Sequence, residues 1–491
     1  MLRAMFGLVA AAALWAAWNG AVFTLHPDSA YRAESAWLIF AAVLILSRVL
    51  QRPSHSAPEI SPAPRGMLVL IPIAASIVLY SPILSIGLLS DDFVLVPRAL
   101  HVEWLHSSWV YVRPLPLAAW WAIDRIVPGA LSFGAIHLFG VILHGVNAWL
   151  VFVVARRLGL PAFASAVAAS LFLAWPFNVE AIAWLSAVFD ACMTACVLAA
   201  VVIVRSDAEP SRLRVATVAI LTAAAVASKE SGITLPLLLA LVAVFGPRSH
   251  WQRAMPYVIA AAAVVAIYLG LRFTLAPPPR DVYPNIVVIK NKMLTRPFGA
   301  LAMGIHRDIL RQAPWIGIAV AIGWAVLFAR AARRWNALVF RIVMLSVCWV
   351  LISVLPLWTM FFVTDTLENS RYLYMASAMW AIAVSALIAN GSAMGRAASA
   401  AAIALVAGCA MLAVAHQHWW RDAAAERDRV IAAWATVPAD CDPKRATGLP
   451  DSVAGAYVFR NGFPEAVQKI SATYSESCIA AWKDGTFSVT R

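Results

Sequence analysis

An all-α polytopic membrane protein is what this sequence predicts, and three of its features converge on that class. The 491 residues are 62% hydrophobic and 13% charged, with a mean hydropathy of +0.78, whereas a soluble chain carries about 25% charged residues. The apolar residues come in long runs between short polar breaks, most of them near the ~20 residues that a helix needs to cross a bilayer. The charge on successive breaks alternates in sign, as the positive-inside rule demands. The formal net charge of +13 then belongs to basic loops and an anionic ligand, and nucleic acid is not an expected partner.

Arg3 precedes the first run, Ala4 to Leu25, which reads as an uncleaved span because no small-residue cleavage site follows it. A second run starts at Ala36 and ends near Leu50. The loop Ser47 to Gly66, with three Arg and four Pro, is too polar and broken to cross. A third run, Met67 to Leu89, leads into Ser90-Asp91-Asp92-Phe93. Further runs lie near 133–154, 161–177, 183–204, 213–228, 232–246, 254–275, 314–330, 338–358, 372–390 and 397–415, which makes about thirteen spans.

With the N-terminus in the cytoplasm, Arg48/Arg52/Arg65, Arg156/Arg157, Arg205/Arg212/Arg214, Arg248/Arg253, Arg330/Arg333/Arg334 and Arg396 fall on one side. The opposite loops hold the acids Asp91, Asp92, Glu103, Asp124, Glu180, Asp190, Glu230, Asp281, Asp308, Asp365 and Glu368. Two outer loops are long. One, 90–132, carries Trp104, Trp109, Trp120 and Trp121 and suits helices lying in the membrane interface. The other, 277–314, carries Arg280, Lys290, Lys292, Arg296, Arg307 and Arg311, a local breach of the charge rule that fits an anionic ligand. The outer tail, 416–491, holds Cys441 and Cys478, which outside the cytoplasm read as a disulfide rather than a metal site. Cys192, Cys196, Cys348 and Cys409 sit in apolar spans as small buried hydrophobes. Arg outnumbers Lys and Ala is abundant, as in a bacterium with a G+C-rich genome.

Two adjacent carboxylates at the mouth of a membrane helix are costly to place and usually functional. The alternative is a solvated helix end in which Asp91 or Asp92 caps the following helix. The same alternation of readings holds for the other polar positions. His137 and His144 are seven apart on one helix face and fit interior hydrogen bonding better than metal binding. Glu180 reads as a loop or interface residue. No zinc spacing, phosphate loop, dinucleotide fingerprint or nucleophile elbow is present.

Several motifs follow Asp91-Asp92 in order. They are Val112-Arg113-Pro114-Leu115, His137-Leu138, Leu143-His144-Gly145-Val146-Asn147, and Trp175-Pro176-Phe177-Asn178-Val179-Glu180-Ala181 with Trp184 and Asp190. Ser228-Lys229-Glu230-Ser231-Gly232 and Glu368-Asn369-Ser370-Arg371-Tyr372-Leu373-Tyr374 complete the set. This order resembles the GT-C superfamily of membrane glycosyltransferases over about residues 67–390. It is most similar to the protein O-mannosyltransferase-like branch that includes transmembrane tetratricopeptide-repeat O-mannosyltransferases. Two N-terminal spans precede the region of resemblance, and the tail carries no such repeats.

The resemblance implies a GT-C-like bundle over 67–415, two N-terminal helices with a loop over 1–66, and a small extracytoplasmic tail over 416–491. It implies an inverting transfer of a sugar from a polyprenyl-phosphate donor to a hydroxyl on a lipid, glycan or protein, at the outer face of a bacterial inner membrane. Asp91 occupies the position of the general base, with Asp92 its neighbour. Asp190 orients acceptor or base, or pairs with a nearby Arg. Arg371 meets the lipid phosphate or pairs with Glu368; Lys229 contacts phosphate or pairs with Glu230; Arg113 contacts phosphate or snorkels to the interface. Some members use a divalent cation, which here would bridge Asp91 and the donor phosphate. The competing function is a lipid or solute transporter or flippase, whose intramembrane charges line a pathway. Against it, the charges gather at outer helix ends, and no pair of Gly/Pro-broken spans recurs in two halves. An inactive relative serving as a membrane partner is a third reading, and the retained Asp91-Asp92 speaks against it.

Overall fold

The structure is a computed structural model that describes residues 66–101, 113–206, 208–246, 248–275, 296–333, 336–357, 363–389, 395–467 and 478–490. The two N-terminal spans, Trp104 and Trp109, and Arg280, Lys290 and Lys292 lie outside the described residues. All eleven apolar runs from Met67 onward contain helix. Among the described residues seven helices are long and apolar enough to cross a membrane, or eight if one bent pair counts as a span. The chain is thus built as a multi-pass membrane protein; of the eleven expected runs that fall among the described residues, seven or eight form full-length spans.

The shortfall has local causes. The run Met67 to Leu89 forms a 3-10 turn, Gly66–Val69, then α1 (Leu70–Tyr80) and a second 3-10 turn, Ser81–Ile83. Residues 84–91 are not helical, so no helix leads directly into Asp91. After α2 (Asp92–Leu100), α3 (Pro114–Ile126) and α4 (Ser132–Arg157), the helix α5 (Ala162–Ala174) stops where Pro176 removes a backbone donor and holds Trp175 extended. The chain resumes, bent by 47°, through α6 (Val179–Ala183). α7 (Val188–Val204) and α8 (Arg212–Ser228) follow, the latter capped by Ser211 Oγ, which accepts from the Arg214 N–H. Lys229 then takes an extended conformation and α9 (Leu235–Val244) begins at Pro236.

α10 (Arg248–Leu275), α11 (Arg296–Met303), α12 (Arg307–Gln312), α13 (Pro314–Arg333) and α14 (Ala337–Val354) complete the flank. α15 (Tyr374–Ala389) is the axis of the bundle. Its span is 94% buried, whereas the spans of α10 and of α16 (Arg396–Trp434) are 22% buried. α15 packs on α14, α5, α7 and α4, and α4 in turn on α1. Where α4 crosses α1, a Cβ on Gly145 would stand 2.5 Å from Ile73 Cα. Only glycine permits that backbone approach.

α3, expected in the interface, instead packs inward. Trp120 is fully buried against Phe189, with ring centroids 5.4 Å apart. α16 has 39 residues, about 58 Å at ~1.5 Å per residue, so it runs across residue 416 and lifts the tail well clear of its apolar half. The tail departs from an all-α fold. It holds two antiparallel hairpins, β1 (Ser452–Val453) with β2 (Ala456–Tyr457) and β3 (Ile479–Lys483) with β4 (Thr486–Thr490), and the short helix α17 (Phe463–Val467). Trp434 packs edge-on against Phe463 and Phe487, and a disulfide joins Cys441 and Cys478.

The charges separate by end. Arg157 Nη1 donates to the Arg205 carbonyl (3.2 Å) and Arg205 Nη2 to the Arg157 carbonyl (3.1 Å), so each guanidinium satisfies the C-terminus of the other's helix. The acids Asp91, Asp190 and Glu230 gather instead around a cavity at other helix ends.

Gly145→Ala should destabilise the bundle by about 1–3 kcal/mol, because the added methyl meets backbone rather than a yielding side chain. Gly270→Ala, with open space at its Cβ position, should leave the thermal unfolding midpoint in detergent unchanged or slightly raised. Equal midpoints for the two variants would show that α1 and α4 are not in contact at Gly145.

Candidate active site at one end of the bundle

Residues 84–91 are not helical, yet their free carbonyls are nearly all taken. Arg427 Nη1 donates to the Ile86 and Leu88 carbonyls (2.5 and 2.7 Å), and Trp184 Nε1 to the Leu89 carbonyl (3.1 Å). His137 Nε2 lies 3.1 Å from the Gly87 carbonyl and so carries the proton. The backbone turns at Ser90, whose φ is 50°.

This turn sends the two carboxylates in different directions. Asp92 is 1% exposed and points into the protein. Its Oδ1 accepts from the Ser186 N–H (2.8 Å) and Oγ (2.5 Å), and its Oδ2 from the Leu89 N–H (3.1 Å). Asp92 therefore ties the turn to the segment preceding α7. It does not line the cavity, and neither aspartate caps α2 through its side chain. Burial pushes the Asp92 carboxyl up to about 7, against the three hydrogen bonds and with a further rise from Asp91. Asp91 lines the cavity, half-buried, and its Oδ1 accepts from Asn461 Nδ2 at 2.6 Å.

The three expected phosphate contacts also line this cavity, but with partners the sequence did not suggest. Arg371 pairs with Glu180, not Glu368, which instead binds Arg460. Glu180 is 1% exposed, not a loop residue, and also accepts from Ser370 Oγ (3.0 Å) and the Arg371 N–H (3.3 Å). Three rings surround Arg371: Trp184 and Tyr372 at 4.7 Å and Tyr457 at 5.7 Å. Lys229 does not pair with its neighbour Glu230. It donates to both oxygens of Asp190, at 2.6 and 2.5 Å, where an Arg had been the expected partner. Glu230 pairs with Arg113 (2.9 Å), whose guanidinium lies 5.2 Å from the Phe189 ring centre. Tyr372 lies between Lys229 and Arg371, 5.3 and 4.7 Å from the two cations.

The cavity measures about 1200 Å³ and is lined by six basic side chains against four acidic ones. Arg98, Arg272 and Lys444 are the cations added to the expected three. One side is apolar, formed by Ile233, Leu269, Phe273 and the turn Leu355–Leu357, and Leu355 and Phe273 are also exposed on the flank. The other wall comes from the tail, through Lys444, Asn461, Gly462, Pro464 and Glu465. A volume of this size with a split polar and apolar lining accepts an amphipathic ligand.

His144 uses Nδ1 on Tyr374 Oη (2.7 Å) and Nε2 on the Leu173 carbonyl (3.0 Å), a hydrogen-bonding role. Among the described residues the one group of three metal-ligating side chains is Asp440, Cys441 and Cys478, and its cysteines are disulfide-bonded. Among the described residues no such group forms at Asp91. Tyr457, Asn461, Arg272 and Arg427 had no signal in the sequence, since each is brought to the site from far along the chain with no motif around it.

No protein-family model matches the chain, and no curated protein matches its sequence. Solved structures match in part. An Archaeoglobus fulgidus oligosaccharyltransferase tethered with an acceptor peptide containing the NVT sequon gives a TM-score of 0.47 at 11% identity, over 83% of this chain and 63% of that one. ArnT from Cupriavidus metallidurans bound to undecaprenyl phosphate gives 0.39 at 15% identity, over 82% and 85%. Archaeal oligosaccharyltransferase AglB from Archaeoglobus fulgidus, in complex with an inhibitory peptide and a dolichol-phosphate, gives 0.42 at 11%, over 76% and 58%. The chain thus spans less than two thirds of the oligosaccharyltransferase's length. With identities of 15% or less and TM-scores below 0.5, none of these assigns the chain to a family.

The raised Asp92 value sets a pH dependence. The folded state holds this proton up to about pH 7, the unfolded chain only to about 4. The stabilisation is full below pH ~4 and is lost as pH rises through about 7, by on the order of 4 kcal/mol. Thermal unfolding in detergent should show that decline between pH 4 and 7, and Asp92→Asn should flatten it. A decline of the same size in the variant would assign it to another group.

Proposed function

We propose that this chain is an inverting glycosyltransferase that moves a sugar from a polyprenyl-phosphate carrier to an acceptor hydroxyl, at the periplasmic face of a bacterial inner membrane. The observation that carries the reading is one cavity presenting a water-accessible carboxylate, Asp91, together with the cations Arg113, Lys229 and Arg371 and an apolar side at Leu355–Leu357. The order of motifs that resembles GT-C enzymes supports it. The loop-charge asymmetry supports the periplasmic side.

The chemistry needs three things, and each has a group suited to it. The acceptor hydroxyl is a weak nucleophile until a base takes its proton; Asp91 accepts that proton as the oxygen bonds to the anomeric carbon. The bond from that carbon to the phosphate oxygen breaks on the opposite face, which inverts the centre. The departing phosphate gains negative charge, and Arg371, Lys229 and Arg113 stabilise it. Arg371 supplies a planar fork suited to phosphate and is oriented by its three rings. The polyprenyl chain leaves along the apolar side, past the exposed Leu355 and Phe273. The acceptor is a hydroxyl on a lipid, glycan or protein.

Purified protein incubated with radiolabelled polyprenyl-phosphate sugars should transfer sugar to a hydroxyl acceptor. Asp91→Asn should lower turnover by about 10²–10⁴-fold and leave donor affinity in place; Asp92→Asn should cost less. Near-normal turnover in Asp91→Asn would discard Asp91 as the base, and no transfer from a panel of donors would discard the reading itself.

Arg371 needs a separate test because it also neutralises Glu180. Arg371→Ala alone should cost about 3–5 kcal/mol of stability by leaving a buried carboxylate unpaired. Adding Glu180→Gln should return much of that stability without restoring donor binding. Donor affinity that returns with stability would make Arg371 purely structural.

A further inference from the structure

Three cations and Asp91 account for the proposed transfer, yet a small separate unit, the tail, forms a whole wall of the cavity. Its segment Tyr457 to Gly462 runs directly along the two stretches that carry the candidate base and the candidate phosphate ligand. The Ser90 N–H donates to the Val458 carbonyl (2.9 Å), and the Asn461 N–H to Ser90 Oγ (3.3 Å). Phe459 stacks on Phe93 at 6.0 Å. Tyr457 Oη accepts from Arg371 Nη1 and donates to Asn369 Oδ1, each at 3.1 Å. Arg460 bridges Glu368 and Asp451. Gly462 has φ +81°, and a Cβ there would stand 2.5 Å from the Ser90 carbonyl oxygen. The segment is therefore fitted against the Ser90 turn at backbone distance.

We infer that this segment is a working part of the active site and that Asn461 is a positioning residue for Asp91. The inference rests on the reading of Asp91 as the base. A carboxylate at the end of a short side chain rotates broadly about its last torsion. The Asn461 amide at 2.6 Å fixes one oxygen and donates to the charged form, which leaves the carboxylate's remaining lone pairs for the acceptor's proton. Asn461 is neutral, so it orients the base without cancelling its charge. Every other acid named in the cavity wall from the membrane helices, Asp190 and Glu230, is instead neutralised by a cation.

The test uses the full-length protein in detergent. Asn461→Ala should lower kcat by about three- to tenfold, the worth of one solvated hydrogen bond, with the donor KM within about twofold. Asn461→Gln, which keeps the amide, should recover part of the loss. An intact Cys441–Cys478 disulfide and an unchanged melting point in both variants show that the tail is folded. Unchanged kcat in Asn461→Ala, with Asp91→Asn impaired, overturns the positioning role. The pair Asp91→Cys with Asn461→Cys reads the contact without any turnover: oxidation or a short bifunctional thiol reagent should cross-link it, and absence of a cross-link with both overturns the inference. Failure of the wild-type protein to transfer sugar would instead count against the transferase reading, and the cysteine pair still decides the contact.

Discussion

The buried ion pair of Glu180 and Arg371 is the constraint on which the rest of the site depends. Glu180 is 1% exposed, and a carboxylate in that position without a cation would cost several kcal/mol. Its partner comes from the turn that opens α15, the most enclosed helix. Glu180 itself lies on the short helix created by the Pro176 break. The pair thus fixes the bent span, the start of the central helix and, through Tyr457, the tail relative to one another. Such a pair contributes little net stability compared with an apolar replacement. What it does supply is orientation, since the guanidinium is held by one carboxylate, two hydroxyls and three rings.

The same electrostatic requirement sorts the bundle's acids in and beside the cavity by what chemistry remains to them. Asp190 gives both oxygens to Lys229, and Glu230 gives its carboxylate to Arg113. A carboxylate committed to a cation is a poor proton acceptor, because protonation would strand the cation. Asp92 spends both oxygens on N–H and O–H donors inside the protein. Asp91 is the one of these four that lines the cavity with an uncharged partner. Which of the adjacent aspartates faces the cavity follows from the direction of one turn at Ser90.

Helices were legible because membrane solvent imposes a strong pattern; each apolar run from Met67 onward contains one. Their lengths were not. Pro176 stops a helix inside the run 161–177, and Leu84 to Asp91 stays non-helical because Arg427 and Trp184 take its carbonyls. Arg427 is more than 300 residues away in sequence, so no local pattern could reveal it. Cavity-lining residues were legible where they stand in apolar surroundings, as Asp190, Lys229 and Arg371 do. Their partners were not, because neighbours in sequence compete with neighbours in space. Lys229 and Glu230 are adjacent, yet extended backbone at Lys229 turns them to different partners.

A reaction between a lipid-borne donor and a more polar acceptor needs a site that touches two solvents, and the cavity is asymmetric in that sense. Its apolar side is made by bundle elements whose outer residues, Leu271, Phe273 and Leu355, are exposed as lipid-facing side chains would be. One wall is made by the tail, through Lys444, Asn461 and Glu465 among others, and a helix of 39 residues carries that tail beyond the length of an ordinary span. Asp91 lies on neither alone: its backbone belongs to the bundle, and its carboxylate is held by the tail. A base placed on the bundle side would lose ionisation to burial, as Asp92 does. A base placed wholly on the tail would depend on the tail's motion relative to the cations of the bundle. The Ser90 turn, clamped from both sides, gives a carboxylate that faces the cavity and is fixed relative to the cations of the helices.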